Sequence, residues 1–188
     1  NDLPGMLTLL AASLGETVET GMVAPGGSTF QGHTNNAATQ NAIAPGNWDV
    51  VVLQEQSQLS SFPPAQVAVD VLPYAALLME QIRGANPCTR PVLLMTWGRE
   101  NGDAQNCPSY PPLCTYQGMQ QRLRESYLEM AYGNQASCAP VGVVWCAVRT
   151  DQPATALYTD GSHPNVTGSF IAASTLFNTI FRRPTIGS

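Results

Sequence analysis

Asp49-Val50-Val51-Val52-Leu53 decides the fold. An unbroken, largely β-branched apolar run reads as a short strand covered on both faces, the habit of parallel sheets flanked by helices. Pro91-Val92-Leu93-Leu94-Met95 is a second run of the same kind. Between them, Gln54 to Pro64 reads as a loop and Ala65 to Arg83 as a long amphipathic helix, which makes a βαβ crossover. Working outward, Pro4 to Leu14 is helical, with proline at its start and Gly15 at its end. Thr17 to Val23 alternates like a strand, and a polar helix follows near Thr29 to Ile43. Towards the C-terminus the pattern predicts a helix over about Tyr116 to Tyr132 and a last one over about Val166 to Phe181. Val141 to Arg149 reads as helical, or as beginning with a short strand. The alternation predicts a three-layer α/β/α sandwich around a parallel sheet, one domain over residues 1–188.

Composition narrows the function classes. The chain is 44% hydrophobic with only 11% charged residues, which describes a folded domain. Its net charge is −5 and it has no basic run, which argues against a nucleic-acid partner. No apolar stretch approaches the roughly 20 residues of a membrane span. All eight cationic residues are arginine.

Five cysteines bear on the compartment. Cys107 and Cys114 bracket a short, proline-rich loop that a disulfide would close. Cys88 and Cys138 each precede a predicted strand, so they are expected to meet at one end of the sheet as a second bridge. Cys146 sits in an apolar helical run as a free thiol. There is no Cys-x-x-Cys pair, so no metal site is expected. Two disulfides imply an oxidising, secreted or periplasmic setting.

In a sheet of this kind ligands sit beyond the carboxyl ends of the strands. Four polar loops fall there: Gly26-Gly27-Ser28, Gln54-Glu55-Gln56-Ser57, Trp97-Gly98-Arg99 and Asp160-Gly161-Ser162-His163-Pro164. The last carries the chemistry. An aspartate three residues before a histidine can bond the near ring nitrogen, fix the tautomer and leave the far nitrogen to accept a proton. The chain has only two histidines, and the other, His33, lies in the polar helix. Trp97, Arg99 and Glu55 are candidates for a substrate pocket on the same rim. Glu55 has two other readings, as a helix cap or as a partner for Arg99. Asn165-Val166-Thr167 matches the N-glycosylation pattern, but a glycan there would obstruct His163.

Four segments in order resemble the SGNH (GDSL-like) hydrolases, in the branch whose third block reads Leu-Gln-Glu-Gln-Ser. They are Ala24 to Thr29, Trp48 to Ser57, Met95 to Gly98, and Asp160 to Pro164. The resemblance implies a flavodoxin-like sandwich of strand order 2-1-3-4-5. It also implies a Ser-His-Asp esterase acting on acyl, often acetyl, groups of carbohydrates or small molecules, without a cofactor. Asp160 would orient His163, the general base and then acid. Gly27 would lend its backbone N–H to the oxyanion, with Gln56 or Gln54 in the place of the family's asparagine.

The family's nucleophilic serine follows its first strand, ahead of the stretch matched by Asn1-Asp2-Leu3-Pro4. Strand and serine are therefore expected upstream of Asn1 or on a separate segment. Ser28, Ser57 and Ser162 are poor substitutes. The competing reading is a catalytically inactive binding or assembly protein on the same scaffold. A third, a flavodoxin-like nucleotide binder, lacks a phosphate-cradling motif.

Overall fold

The structure, a computed structural model, describes residues 2–185; Asn1 and residues 186–188 lie outside it. Three parallel strands, β1 (Val50–Leu53), β2 (Arg90–Leu94) and β3 (Ser137–Ala139), form a sheet in the order β1-β2-β3. Val52 pairs with Val92, which in turn pairs with Ser137. Eight helices surround it among the described residues: α1 (Leu3–Ser13), α2 (Phe30–Thr34), α3 (Ala37–Ile43), α4 (Pro64–Asp70), α5 (Leu72–Ala85), α6 (Tyr116–Gly133), α7 (Val141–Asp151) and α8 (Val166–Phe181).

The period-2 geometry of the strands sorts the core into two layers. Leu93 and Met95 point into one, with Leu53, Phe30, Ile43, Leu78, Met79, Leu123 and Tyr127 from β1, α2, α3, α5 and α6. Val92 and Leu94 point into the other, with Leu7, Trp145, Ala172, Leu176 and Phe177 from α1, α7 and α8. The fold is thus the expected α/β/α sandwich.

Two predicted helices are broken in two. The polar helix breaks at Asn35-Asn36, where the Asn36 side chain accepts the Thr39 N–H and caps α3. The long helix breaks at Val71, because Pro73 suits the first turn of α5 but not a helix interior. The stretch Thr17–Val23 is not a strand. It carries no regular structure and is mostly exposed, with Gly21 so close to the Trp48 ring that a Cβ there would lie 3.0 Å from it. Its backbone has no ladder partner among the described residues, and a lone strand has nothing to bond. β1 is therefore an edge strand in this structure, and its Val52 is 38% exposed.

Cys107 and Cys114 are joined in a disulfide. The expected Cys88–Cys138 bridge is absent; both are free thiols. The register explains the correction: Cys138 lies beside Leu93, whereas Cys88 precedes β2 at its amino end. That offset is about 16 Å along a strand, against the roughly 4.4–6.8 Å between Cα atoms that a disulfide spans. Cys146 is free and half-buried on α7. No helix among the described residues is long and apolar enough to cross a membrane.

Candidate active site

The loop between α7 and α8 folds back on itself through a bridge between Tyr158 and Pro164 and a Thr159 N–H to His163 C=O bond of 2.9 Å. At its tip, Asp160 makes three contacts. Its Oδ1 accepts the N–H groups of Ser162 (3.0 Å) and His163 (2.7 Å), and its Oδ2 lies 2.7 Å from His163 Nδ1. Gly161, at φ +81°, supplies the left-handed step that curls the backbone over the carboxylate. The His163 N–H, the imidazole and the Ser162 N–H, in that order, hold the Asp160 carboxyl well below the usual carboxylate range. The pair stands in solvent: the His163 side chain is 78% exposed and that of Asp160 53%. With Nδ1 bound to a carboxylate, Nε2 faces outward as the available base.

The loop then enters α8, whose N-cap is Asn165. Its side chain accepts the Gly168 N–H at 2.9 Å and donates to Ala156 C=O at 2.8 Å. The amide of the glycosylation-like triplet is thus spent on local structure.

Beyond β1, Glu55 is fully buried and organises two other segments. One oxygen accepts the Phe30 N–H at the start of α2 (2.8 Å), and the other accepts the Gln56 N–H (2.6 Å). The Glu55 N–H is in turn received by the Tyr127 hydroxyl at 3.0 Å. Burial pushes the Glu55 carboxyl up to about 7, and the bonds from Phe30 and Gln56 oppose that rise. Glu55 is the helix cap among its three readings. Neither of its oxygens meets Arg99 among the described residues.

The cap ties the glycine turn to the glutamines. Pro25 to Ser28 is a turn closed by a 3.2 Å bond, with Gly27 at φ +72° in its third position, and the Gly27 N–H meets no acceptor among the described residues. Gln56 is fixed: its Oε1 accepts the N–H groups of Gln58 (2.8 Å) and Leu59 (3.1 Å), and its Nε2 donates to Gln58 Oε1 (2.9 Å). An amide nitrogen has two N–H groups, so one remains for a ligand. Gln54 is exposed, and its side chain makes no hydrogen bond among the described residues.

Trp97 and Arg99 lie on the same rim and are tied to its loops. Trp97 is 8% exposed and stacks on Trp145 with ring centroids 4.3 Å apart. Its indole N–H donates to Ser162 C=O at 3.0 Å, underneath the histidine loop. Arg99 donates to Asp103 Oδ1 at 2.9 Å.

Asp103, which the sequence reading missed, is the hub of the rim. It is fully buried and accepts from Gln58 (2.8 Å) and Asn106 (2.6 Å) as well as Arg99. Burial alone would raise this carboxyl; the amides of Asn106 and Gln58 and the Arg99 charge bring it below its ordinary value. From there Glu100 donates its N–H to Gly161 C=O at 2.8 Å. Hydrogen bonds thus connect Gln56 through Gln58 and Asp103 to Arg99, and the next residue in the chain, Glu100, bonds the Asp160–His163 loop. The i, i+4 spacing of Arg99 and Asp103 was the one signal for it in the sequence. Among the described residues no three His, Cys, Asp or Glu side chains are spaced to hold a metal ion.

Comparison with known proteins bears on the fold and the superfamily. No family model matches the chain, and no curated protein matches it by sequence. Solved structures do match. A protein described as an SGNH hydrolase from Slackia heliotrinireducens is 30% identical, with a TM-score of 0.73 over 96% of this chain and 95% of that one. A DUF4886 family protein from Bacteroides uniformis superposes with a TM-score of 0.76 at 17% identity, over 98% of this chain and 82% of its own. An acetylxylan esterase from Geobacillus stearothermophilus gives a TM-score of 0.61 at 20% identity, over 99% and 81%. At those lower identities the likeness is one of fold.

Proposed function

The chain belongs to the SGNH hydrolase superfamily, and from that premise we propose that it is a serine esterase that removes an acyl group, acetyl first of all, from a carbohydrate or small-molecule ester. The observation that carries the proposal is the solvent-facing imidazole with Nδ1 2.7 Å from a carboxylate. A histidine bonded in this way is held in one tautomer, and Asp160 stabilises the imidazolium that forms when Nε2 takes a proton.

The nucleophilic hydroxyl, in this reading, belongs to a serine on a strand that pairs with the open edge of β1, on a segment ahead of Asn1. Val50 to Leu53 pairs on one side only, yet Val50 and Leu53 reach into opposite core layers, the habit of an internal strand. A strand seated there would end on the same rim as Gln54 and Gln56. His163 Nε2 takes the serine proton as Oγ attacks the acyl carbonyl. The developing oxyanion is received by the Gly27 N–H and the unused N–H of Gln56. That glutamine is favoured over Gln54 because a donor fixed in advance costs no reorganisation in the transition state. His163 then returns the proton to the leaving alcohol and activates water for deacylation.

Acetyl is the preferred group because the neighbours include an acetylxylan esterase and a peptidoglycan O-acetylesterase, both with fold likeness only. The Cys107–Cys114 disulfide fits a secreted or periplasmic enzyme. The test is hydrolysis of p-nitrophenyl acetate by the full-length polypeptide with His163→Ala alongside. Loss of the base should lower the rate by a factor on the order of 10³ to 10⁶. An equal rate in the variant would reject the assignment of His163. A folded full-length protein with no turnover at all would favour the binding-protein reading.

A further inference from the structure

We propose that Trp97 is a positioning residue for the Asp160–His163 pair, acting through the peptide group that joins Ser162 to His163. The inference rests on the reading of His163 as the base and adds the residue that holds it. Both ends of that one peptide are engaged. Its carbonyl, Ser162 C=O, accepts the Trp97 indole N–H at 3.0 Å. Its N–H, that of His163, donates to Asp160 Oδ1 at 2.7 Å. The other carboxylate oxygen lies 2.7 Å from Nδ1 of the same histidine. Indole, peptide, carboxylate and imidazole therefore form a single chain of hydrogen bonds that ends on the ring.

Such chains strengthen themselves. A donor on a carbonyl polarises the amide and makes its N–H a better donor, so the indole tightens the bond that fixes Asp160. Two exposed side chains gain little order from each other in water, and the rigidity of the pair has to come from beneath. Trp97 supplies it from a buried position. Its ring lies within 5° of parallel to that of Trp145, which meets Tyr158 edge-on at 5.2 Å. The Tyr158 hydroxyl donates to Gly98 C=O at 2.6 Å, and Glu100 N–H holds Gly161 C=O. The extension of β2 thus grips two consecutive carbonyls of the loop.

The two tryptophans differ in the way the inference requires. The Trp145 indole nitrogen is directed to the Tyr158 hydroxyl and does not bond the Ser162–His163 peptide, whereas that of Trp97 does. Only Trp97 directs its bond at the peptide that carries the imidazole.

The experiment is nitrogen-15 NMR of the imidazoles in the full-length polypeptide, paired with kcat and KM on p-nitrophenyl acetate. The wild-type neutral His163 ring should be held as the Nδ1–H tautomer. Trp97→Phe keeps a stacking ring and deletes the donor; it should mix the tautomers and lower kcat about 10-fold with KM within about twofold. Trp145→Phe should leave the tautomer as in wild type. A benzothienyl side chain at position 97, isosteric with indole but without the N–H, should reproduce the Trp97→Phe result even if that variant folds poorly. A wild-type tautomer in both position-97 variants, or equal mixing in Trp145→Phe, would overturn the proposal. The tautomer is read without turnover, so an inactive wild type would count against the esterase reading and leave this test standing.

Discussion

Glu55 shows how one residue carries both fold and pH dependence. It is enclosed, and both of its oxygens receive backbone N–H groups, so removing it would loosen the glycine turn and the glutamine loop together. With its carboxyl pushed up to about 7 in the folded protein against 4.5 for the free group, the folded state holds a proton that the unfolded state has lost. Stability from this group is therefore fully present below about pH 4.5 and is lost as pH rises through about 7, a change of about 3 kcal/mol. Glu55→Gln does not titrate; its amide nitrogen can accept neither N–H, so the variant is less stable throughout and the comparison rests on the pH dependence alone. Urea midpoints at pH 5 and pH 8 should show wild type losing more stability than the variant over that interval, and parallel losses would contradict the assignment. The depressed carboxyls of Asp103 and Asp160 act in the opposite sense and below this window, so they cancel in the comparison.

Among the elements, α7 and α8 support the histidine loop from below, and a glycine sets their distance. A Cβ at Gly168 would lie 2.4 Å from the Trp145 ring and 2.5 Å from Leu157 C=O. Gly168→Ala must displace the Trp145 ring and the Leu157 carbonyl beneath the loop. The expected loss is about 1–3 kcal/mol in a thermal or urea melt, against a gain of about 1 kcal/mol at most from helix propensity alone. An unchanged or raised melting temperature would show that the helix pair has room to separate.

At this scale the sequence was legible wherever one local rule dominated. The apolar runs became β1 and β2, and the α8 prediction of Val166 to Phe181 matched residue for residue, because capping Asn165 and an apolar stripe agree. Thr17–Val23 failed because alternation describes a strand only when a neighbour accepts its backbone bonds. Cys88 and Cys138 failed because a pairing depends on register, which strand composition does not contain.

For the whole molecule, the Asp160–His163 contact was readable because both partners lie within one turn of chain. The roles of Trp97, Glu55 and Asp103 were not, because each is set by contacts distant in sequence: Trp97 to Ser162, Glu55 to Phe30, Asp103 to Gln58. The rim is thus a set of loops held by buried polar struts, with the reactive pair as its exposed end. Reaction of the full-length polypeptide with a fluorophosphonate, followed by intact mass and peptide mapping, tests the central claim most directly. The account predicts one adduct, on a serine ahead of Asn1, formed at least about 100-fold more slowly in His163→Ala. No adduct on a folded protein, or one that forms equally fast without the imidazole, would contradict it.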